Sequence, residues 1–333
     1  MKVLITGATS TIGNHLVEML LNHNCELNLL LRNPQKAPYF IDERITLFQG
    51  DINSPELLLR AMTGCDQVYH LAALTKVWVR NPSRYYEVNV DGTLNVLRAA
   101  KSLGIKRVVM TSSAGGYGPS IHSAVTEEKV REIGFFNDYE CSKALAELKA
   151  KEFALLNNTD VVIVSPSRVY GPTLNAEVSS ITLLFDQYIN HSWRLIPGDG
   201  AEVGNYAFIE DVADGIIRAM KYGKQGETYL LGGHNITYNA FFKKLSERSK
   251  VRRKMIHAPF FLQSIYAYSE LFKAKIFNRN AKITPSWLAK GKYNWEIDSS
   301  KAIKEIGYHV TPLEEAFDKT IIFIKKKRIE ASN

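Results

Sequence analysis

The chain has 333 residues, enough for one large α/β domain or for two unequal domains. Its hydrophobic share of 45% and charged share of 23% are ordinary for a globular protein, and no apolar stretch reaches the roughly 18 residues of a membrane span. The net charge of +8 favours anionic ligands, but the densest basic run lies in the terminal tail at 325–328, and no nucleic-acid-binding motif accompanies it, so we expect no nucleic-acid partner.

Predicted strands and helices alternate up to about residue 165. The predicted strands are 2–6, 26–32, 45–51, 66–73, 106–113 and 160–167. The predicted helices are 12–23, 54–62, a long helix within 85–104, and 139–158. This alternation predicts an α/β fold with a Rossmann-type, doubly wound parallel sheet. The strands are apolar throughout, which is typical of strands covered on both faces.

After residue 172 this rhythm weakens and helices dominate, with short strands near "ETYLLGG". We therefore predict two domains. Residues 1–172 form a dinucleotide-binding Rossmann domain, to which 205–235 return. Residues 173–204 and 236–333 form a smaller, mainly helical C-terminal domain that binds the substrate.

The stretch "TGATSTIG" at 6–13 follows the first predicted strand and opens the first helix. In a dinucleotide-binding turn the outer glycines make the tight turn and the close packing of helix on strand, and the middle one lets the backbone approach the pyrophosphate. Gly7 and Gly13 hold the outer positions, whereas Ser10, or Thr11 in the alternative spacing, holds the middle one. We hypothesise that a hydroxyl there donates to the pyrophosphate at the helix N-terminus. The alternative is a structural turn that binds no ligand.

The end of the second strand bears on the choice of cofactor. NAD sites usually place an acidic residue there, but this chain has Leu31 followed by Arg32, and a guanidinium suits a 2′-phosphate. The sequence therefore favours NADP(H), with NAD(H) as the alternative. Arg32 could instead be solvated or stack on adenine. Asp51, after the third strand, could accept from the adenine amino group or cap a turn.

"YECSK" places Tyr139 and Lys143 four residues apart, on one face of a predicted helix. A neighbouring ammonium stabilises a phenolate and lowers the pKa of a tyrosine from its usual value of about 10. Ser112 and Ser113 lie at the C-terminal end of a predicted parallel strand, at the sheet edge where ligands bind. A serine hydroxyl there could polarise a carbonyl oxygen.

Together these segments resemble the extended short-chain dehydrogenases/reductases of the NAD-dependent epimerase/dehydratase superfamily. The resemblance covers essentially the whole chain through "TGATSTIG", "GDI", "VYHLAA", "NVDGT", "TSSAGGYG", "YECSK", "PSRVYGP", "IPGDG", "FIEDVADG" and "YLLGG". It implies that Tyr139 is the general acid/base, that Lys143 modulates it and anchors the ribose, and that Ser113 binds the carbonyl. It also implies that Leu71, Ala72 and Ala73 line the cofactor, that Asn89 braces the central helix near the active site, and that Pro166 and Val169 meet the nicotinamide. With these we list as predicted cofactor contacts Gly7, Ser10, Thr11, Ile12, Gly13, Arg32, Asp51, Ile52, Tyr139 and Lys143. The missing middle glycine is the main departure.

Two branches of the superfamily remain open. Nucleotide-sugar enzymes similar to this chain usually carry an arginine after the "GDG" segment, where this chain has Gly204 and Asn205, and an asparagine where it has Arg168. The dihydroflavonol-reductase-like branch is the more similar, and Trp78 is the expected wall of an apolar substrate site. We expect reduction of the carbonyl of a small hydrophobic substrate, or oxidation of the alcohol, with Trp78, Ser113 and Arg168 at the substrate. The alternatives are a nucleotide-sugar epimerase or dehydratase with tightly bound NAD(P), and a redox sensor without turnover.

Other features concern partners and location. The aromatic stretch 258–277 could be a substrate lid, a dimer surface or a contact with a membrane surface, the last being the least favoured. We expect a small-molecule substrate and a homodimer. Cys25, Cys65 and Cys141 lie far apart and predict no disulfide framework and no metal site. With a start that does not resemble a signal peptide, they indicate a cytoplasmic protein.

Overall fold

The structure, a computed structural model, describes residues 1–173, 178–190, 192–277, 279, 281 and 283–332. Its strands are β1 (Lys2–Thr6), β2 (Glu26–Leu31), β3 (Ile45–Gln49), β4 (Gln67–His70), β5 (Arg107–Thr111), β6 (Val161–Pro166), β7 (Arg168–Tyr170), β8 (Leu195–Pro197), β9 (Val203–Phe208), β10 (Thr228–Leu231), β11 (His234–Thr237) and β12 (Ile256–Ala258). Its helices are α1 (Thr11–Asn22), α2 (Pro55–Met62), α3 (Ser83–Tyr86), α4 (Gly92–Ser102), α5 (Asp138–Asn157), α6 (Ser180–Ile189), α7 (Ile209–Tyr222), α8 (Tyr238–Ser249), α9 (Phe260–Ile276), α10 (Pro285–Ala289), α11 (Ser300–Ile306) and α12 (Leu313–Ser332).

The main sheet has seven parallel strands in the order β3-β2-β1-β4-β5-β6-β10. Successive side chains point to opposite faces, so Val3 and Ile5 join the hydrophobic core on one face and Leu4 joins the core on the other. Helices α1, α7 and α11 contribute to the first core, and α2, α4 and α5 to the second. The predicted doubly wound parallel sheet is confirmed, and its strand order reverses between β1 and β4, where such sheets bind ligands.

One expectation about the strands is wrong. Strand β3 is not covered on both faces, since it forms the edge of the sheet and Leu47 in its middle is exposed. An edge strand has one neighbour and little helix above it, so an apolar sequence alone does not guarantee burial.

A second, smaller assembly contains a three-stranded sheet, ordered β11-β9-β7, and the short parallel pair β12-β8. Its core is aromatic. Phe185, Phe241 and Phe317, from α6, α8 and α12, pack edge to face against one another. Such aromatic pairs add about 0.5–1.5 kcal/mol each beyond the area that they bury.

The segment 205–235 contributes to both assemblies. Strand β10 pairs with β6 at the end of the main sheet, and α7 packs on α1. Residues 205–208, by contrast, belong to β9 in the small sheet. Helix α11, from the later part of the chain, packs against α7 and β10. The division into domains stays a prediction, and residues 174–177, 191, 278, 280, 282 and 333 of the proposed substrate domain lie outside the described residues.

Candidate active site

The turn between β1 and α1 requires glycine at both of its outer positions. Gly7 has φ +78°, and a Cβ there would lie 2.6 Å from the backbone nitrogen of Ala72. A Cβ on Gly13 would lie 2.2 Å from the carbonyl oxygen of Gly7. The two glycines therefore let α1 start directly against the turn, and let the turn rest on the segment after β4. This geometry fits a dinucleotide pyrophosphate at the helix N-terminus.

Ser10 occupies the middle position without strain. Its φ of −74° is open to any residue, and its Oγ accepts a hydrogen bond from the backbone N–H of Gly13 at 3.1 Å. Ser10 is thus the N-cap of α1, which explains how the turn forms without a third glycine. Donation to a pyrophosphate by the hydroxyl of Ser10 or Thr11 stays a prediction.

The predicted adenosine end lies along β2 and β3. Leu31 closes β2 and is buried, and Arg32 after it is exposed. The Asp51 carboxylate accepts from the backbone N–H of Asn53 at 2.9 Å, so it caps a turn, as one of its two interpretations expected. Ile52 is buried against the backbone of Gly92, where a Cβ would come within 2.5 Å of the Ile52 side chain.

The segments after β4 and β6 border the same sheet edge. Leu71 is buried, and Ala72 and Ala73 are half-buried. Pro166 is the last residue of β6 and pairs with Leu231 of β10, and Val169 in β7 is half-buried. All of them lie beyond or at the carboxyl ends of parallel strands, the region in which a dinucleotide is expected.

Asn89 makes hydrogen bonds to two other parts of the predicted site. It lies in a π-helical turn, Glu87–Asp91, between α3 and α4. Its side chain accepts from the N–H of Leu74 at 2.7 Å and donates to the Ser142 hydroxyl at 2.9 Å. One amide therefore ties α5 to the loop after β4, and the π-turn is a common device at functional sites.

Ser113, Tyr139 and Lys143 come together at the carboxyl end of β5. Lys143 Nζ donates to the Thr111 carbonyl at 2.5 Å. Burial lowers the pKa of Lys143 to about 8, opposed in part by the Glu147 carboxylate. Burial also raises the pKa of Tyr139, although the neighbouring Ser113 side chain acts in the opposite direction. Lowering of that pKa by Lys143 stays a prediction.

An aromatic cavity of about 790 Å³ begins beside Tyr139. Trp78, Phe136, Tyr268 and Leu271 form part of its wall, together with Tyr85, whose ring meets the Tyr139 ring edge-on at 6.5 Å. Trp78 therefore lies in a cavity wall near Tyr139, and its role at the substrate stays a prediction. Arg80, Asp138 and Lys275 also line this cavity, so it combines an aromatic wall with charged side chains, and its size suits a small ligand.

Arg168 does not line this cavity. Its guanidinium lies over the rings of Tyr206 and Tyr238, and Nη1 donates to the Tyr238 hydroxyl at 3.3 Å. The same Nη1 would be 2.5 Å from a Cβ on Gly204, so the guanidinium fills the space that a side chain at 204 would need. The two departures from the nucleotide-sugar pattern, glycine at 204 and arginine at 168, are therefore linked, because the Arg168 guanidinium occupies the space beside Gly204.

The sequence analysis missed a buried ionic network beside Tyr139. Glu140 is fully buried and pairs with Arg131 at 2.9 Å and with Lys290 at 2.5 Å. Lys290 Nζ also lies 4.8 Å from the ring centres of Trp287 and Trp295. The ring of Trp287 in turn stacks on Tyr139 at 6.4 Å. No local motif predicts this network, because its members come from distant parts of the chain.

Comparison with known proteins agrees with this geometry. Residues 3–232 match the NAD-dependent epimerase/dehydratase family. The chain is 26% identical to sterol demethylase protein B of Methylococcus capsulatus, over 98% of this chain and 99% of that protein. It is 28% identical to a bifunctional dihydroflavonol 4-reductase/flavanone 4-reductase of Pyrus communis, over 74% of this chain and 76% of that protein. The crystal structure of a dTDP-glucose 4,6-dehydratase from Streptomyces venezuelae with NAD bound superposes with a TM-score of 0.79 at 24% identity, covering 99% and 98% of the two chains.

Proposed function

The chain belongs to the NAD-dependent epimerase/dehydratase family and is an enzyme of that superfamily, and from this premise we propose that it reduces the carbonyl group of a small hydrophobic substrate with NADP(H). The observation that carries the proposal is the position of Tyr139. Its hydroxyl is close enough to Ser113 for that side chain to lower its pKa, and its ring neighbours the aromatic cavity.

Each of the three site residues has a distinct task in this reaction. The Ser113 hydroxyl donates to the substrate carbonyl oxygen and polarises it, and the Tyr139 hydroxyl delivers the proton to that oxygen. Lys143 is anchored on the Thr111 carbonyl, from which its ammonium can hold the cofactor ribose and stabilise the Tyr139 phenolate. The bound nicotinamide supplies the hydride.

The preference for NADP(H) over NAD(H) is part of the proposal. Arg32 is exposed directly after β2, and among the described residues no carboxylate pairs with it. A guanidinium in that position can accept a 2′-phosphate in a charge-assisted, bidentate contact. The Asp51 carboxylate, which follows β3 at the same sheet edge, already caps a turn.

The second candidate is a nucleotide-sugar epimerase or dehydratase, in which the cofactor is oxidised and reduced within one cycle. The shared fold with the dTDP-glucose dehydratase favours it. The packing of Arg168 against Gly204 opposes it, because this packing leaves no room for an arginine at 204. We therefore place it second.

The deciding experiment incubates the purified protein with NADPH or NADH, against hydrophobic ketones and aldehydes and against nucleotide sugars. We expect net loss of NADPH absorbance with a carbonyl compound. Tyr139→Phe should lower kcat by about 10²–10⁴-fold, the usual contribution of general acid catalysis, while NADPH binding stays close to that of the wild type. A changed nucleotide sugar without net loss of NADPH would establish the second candidate, and full activity of Tyr139→Phe would refute the mechanism.

We also propose that the protein is a cytoplasmic homodimer. Leu148, Leu155 and Leu156 on α5 are all exposed, by 61%, 84% and 76%, and an apolar strip on a long helix is a common dimer contact. Sedimentation of Leu148→Lys and Leu155→Lys variants tests the dimer. The cytoplasmic location rests on the three separate cysteines, which are free.

A further inference from the structure

Helix α9 presents its large apolar residues to solvent and its small or polar residues to the protein. Ala267, Glu270 and Ala274 are its buried positions. Seven of its large apolar or aromatic residues are each more than half exposed: Phe261, Leu262, Ile265, Tyr266, Tyr268, Phe272 and Ile276. We call these seven residues the outer face of α9. A surface helix normally buries its apolar stripe, so this reversed arrangement indicates a face that something else covers.

The charges around the outer face are cationic. Glu270 is the only acidic residue in 256–277, and it is buried and paired with Arg279 at 3.0 Å and Lys273 at 3.5 Å. Lys273, Lys275 and Arg279 are exposed. Three cations against one buried carboxylate leave a positive surface around an aromatic stripe.

We propose that the outer face of α9 docks on an anionic membrane surface. Aromatic and aliphatic side chains insert at the level of the headgroups, and flanking lysines and arginines bind anionic lipids. The arrangement is interfacial, since among the described residues no helix is long and apolar enough to cross a bilayer.

A second copy of the chain fits this face less well. In a symmetric contact the outer face meets the same face of the other copy, and the stretch 256–277 offers no exposed carboxylate there to pair with Lys273 and Lys275. Like charges at such an interface repel one another. Anionic headgroups are complementary to these cations, and this charge complementarity selects the membrane as the occupant.

Docking also has a consequence for the cavity, one that rests on the proposed function. Tyr268, Leu271 and Lys275 of α9 form part of the cavity wall. The helix that contacts the lipid is therefore also a wall of the proposed substrate site. Docking places that site next to the layer in which a hydrophobic carbonyl compound dissolves.

The test measures binding of the full chain to phosphatidylcholine vesicles, with and without phosphatidylserine, by flotation. It uses no substrate or cofactor, so its failure leaves the proposed function standing. We expect the protein to bind the anionic vesicles at least about tenfold more strongly than the neutral ones. Each cation near an anionic surface raises the affinity about fivefold, and more than one cation lies beside the outer face. Added salt should weaken this binding.

The double variant F261E/F272E should lose vesicle binding by at least about tenfold, since it places two charges in the apolar stripe. The matched control is I41E/I322E, which adds the same charge at two exposed isoleucines elsewhere and should bind as the wild type does. Ile265→Gln provides a milder variant, should the double variant fail to give a normal thermal unfolding transition.

Three outcomes would overturn the proposal. The first is no binding of the wild type, or equal binding to neutral and anionic vesicles. The second is equal binding by F261E/F272E and the wild type. The third is self-association of the wild type in sedimentation that F261E/F272E abolishes, because this result would assign the outer face to a second copy.

Discussion

At the scale of single residues, Arg32 provides the sharpest test of cofactor choice. Arg32→Asp replaces a guanidinium by a carboxylate that repels a 2′-phosphate and can accept from ribose hydroxyls. We expect kcat/KM for NADPH to fall about 10–100-fold, the size of a lost charge-assisted hydrogen bond, while kcat/KM for NADH stays level or rises. Arg60→Asp, at an exposed position on α2, is the control and should change neither value. A parallel loss with both cofactors in Arg32→Asp would contradict the assignment.

His70 makes a second prediction at this scale, about stability and pH. Its ring is buried between the hydroxyls of Thr6 at 2.7 Å and Thr93 at 3.0 Å. Burial, together with the charge of Lys143, lowers the pKa of His70 from 6.5 to about 3. Between these pH values the unfolded chain binds a proton that the folded chain does not, so this contribution to stability is complete above pH 6.5 and is lost as the pH falls.

Between neutral pH and about pH 4, the free energy of unfolding should therefore fall less steeply with decreasing pH in His70→Gln than in the wild type. We expect the two slopes to differ by up to about 1.4 kcal/mol per pH unit. Urea unfolding at a series of pH values measures this slope. His122→Gln is the control, because the His122 side chain is exposed, and the slope should stay at the wild-type value. An unchanged slope in His70→Gln would show that His70 is not buried in its neutral form.

At the scale of elements, the Glu140–Lys290 pair joins the catalytic helix α5 to the turn after α10. Lys290→Met should destabilise the protein by about 3 kcal/mol, since it leaves a buried carboxylate with Arg131 as its remaining partner. Lys149→Met breaks an exposed pair on the same helix and should cost less than about 1 kcal/mol. Urea unfolding compares them. Equal small losses would mean that Glu140 has access to water.

The elements also show how much the sequence could predict. Helices α1, α2 and α5 and the strands from β1 to β6 follow from apolar periodicity, and their predicted ends differ from the structure by at most three residues. The long helix predicted within 85–104 is α4, which begins only at Gly92 because a π-helical turn precedes it. Ser112 and Ser113 end the predicted strand 106–113, whereas β5 ends at Thr111 and leaves both serines in the loop. The small sheet escaped prediction, because β7 and β11 have only three and four residues and pair with β9 across long separations.

The candidate site likewise has one part that the sequence predicts and one part that it does not. Gly7, Ser113, Tyr139 and Lys143 lie in local motifs whose spacing has a direct chemical meaning, so their approach at one sheet edge could be expected. Trp287 and Lys290 lie in no such motif. They reach Tyr139 and Glu140 only because the later half of the chain folds back over α5. Tertiary packing of this kind has no signature in a single sequence.

At the scale of the whole molecule, the late elements β10, α7 and α11 complete the first sheet and its cover. Strand β9 links the two cores, since Ala207 lies in the core of the main sheet and Phe208 in that of the small assembly, and Val169 packs against both. We therefore expect the two assemblies to unfold together in one thermal transition. The proposed cofactor NADP⁺ should bind the folded state alone, so at a hundred times its Kd it should stabilise the protein by about 2.7 kcal/mol and raise the temperature of the whole transition.

Gly7→Ala should abolish that rise with cofactor. Its Cβ would collide with the backbone at Ala72, and its positive φ adds strain, so the turn can no longer hold the pyrophosphate. Gly64→Ala is the matched control, because Gly64 has nearly the same φ, +76° against +78°, but no atom within 4 Å of the added Cβ. Gly64→Ala should lower the unfolding temperature of the protein without cofactor, through backbone strain alone. Added NADP⁺ should still raise that temperature as much as it does in the wild type. Two separate transitions, of which NADP⁺ moves only one, would show that the two assemblies unfold independently of each other.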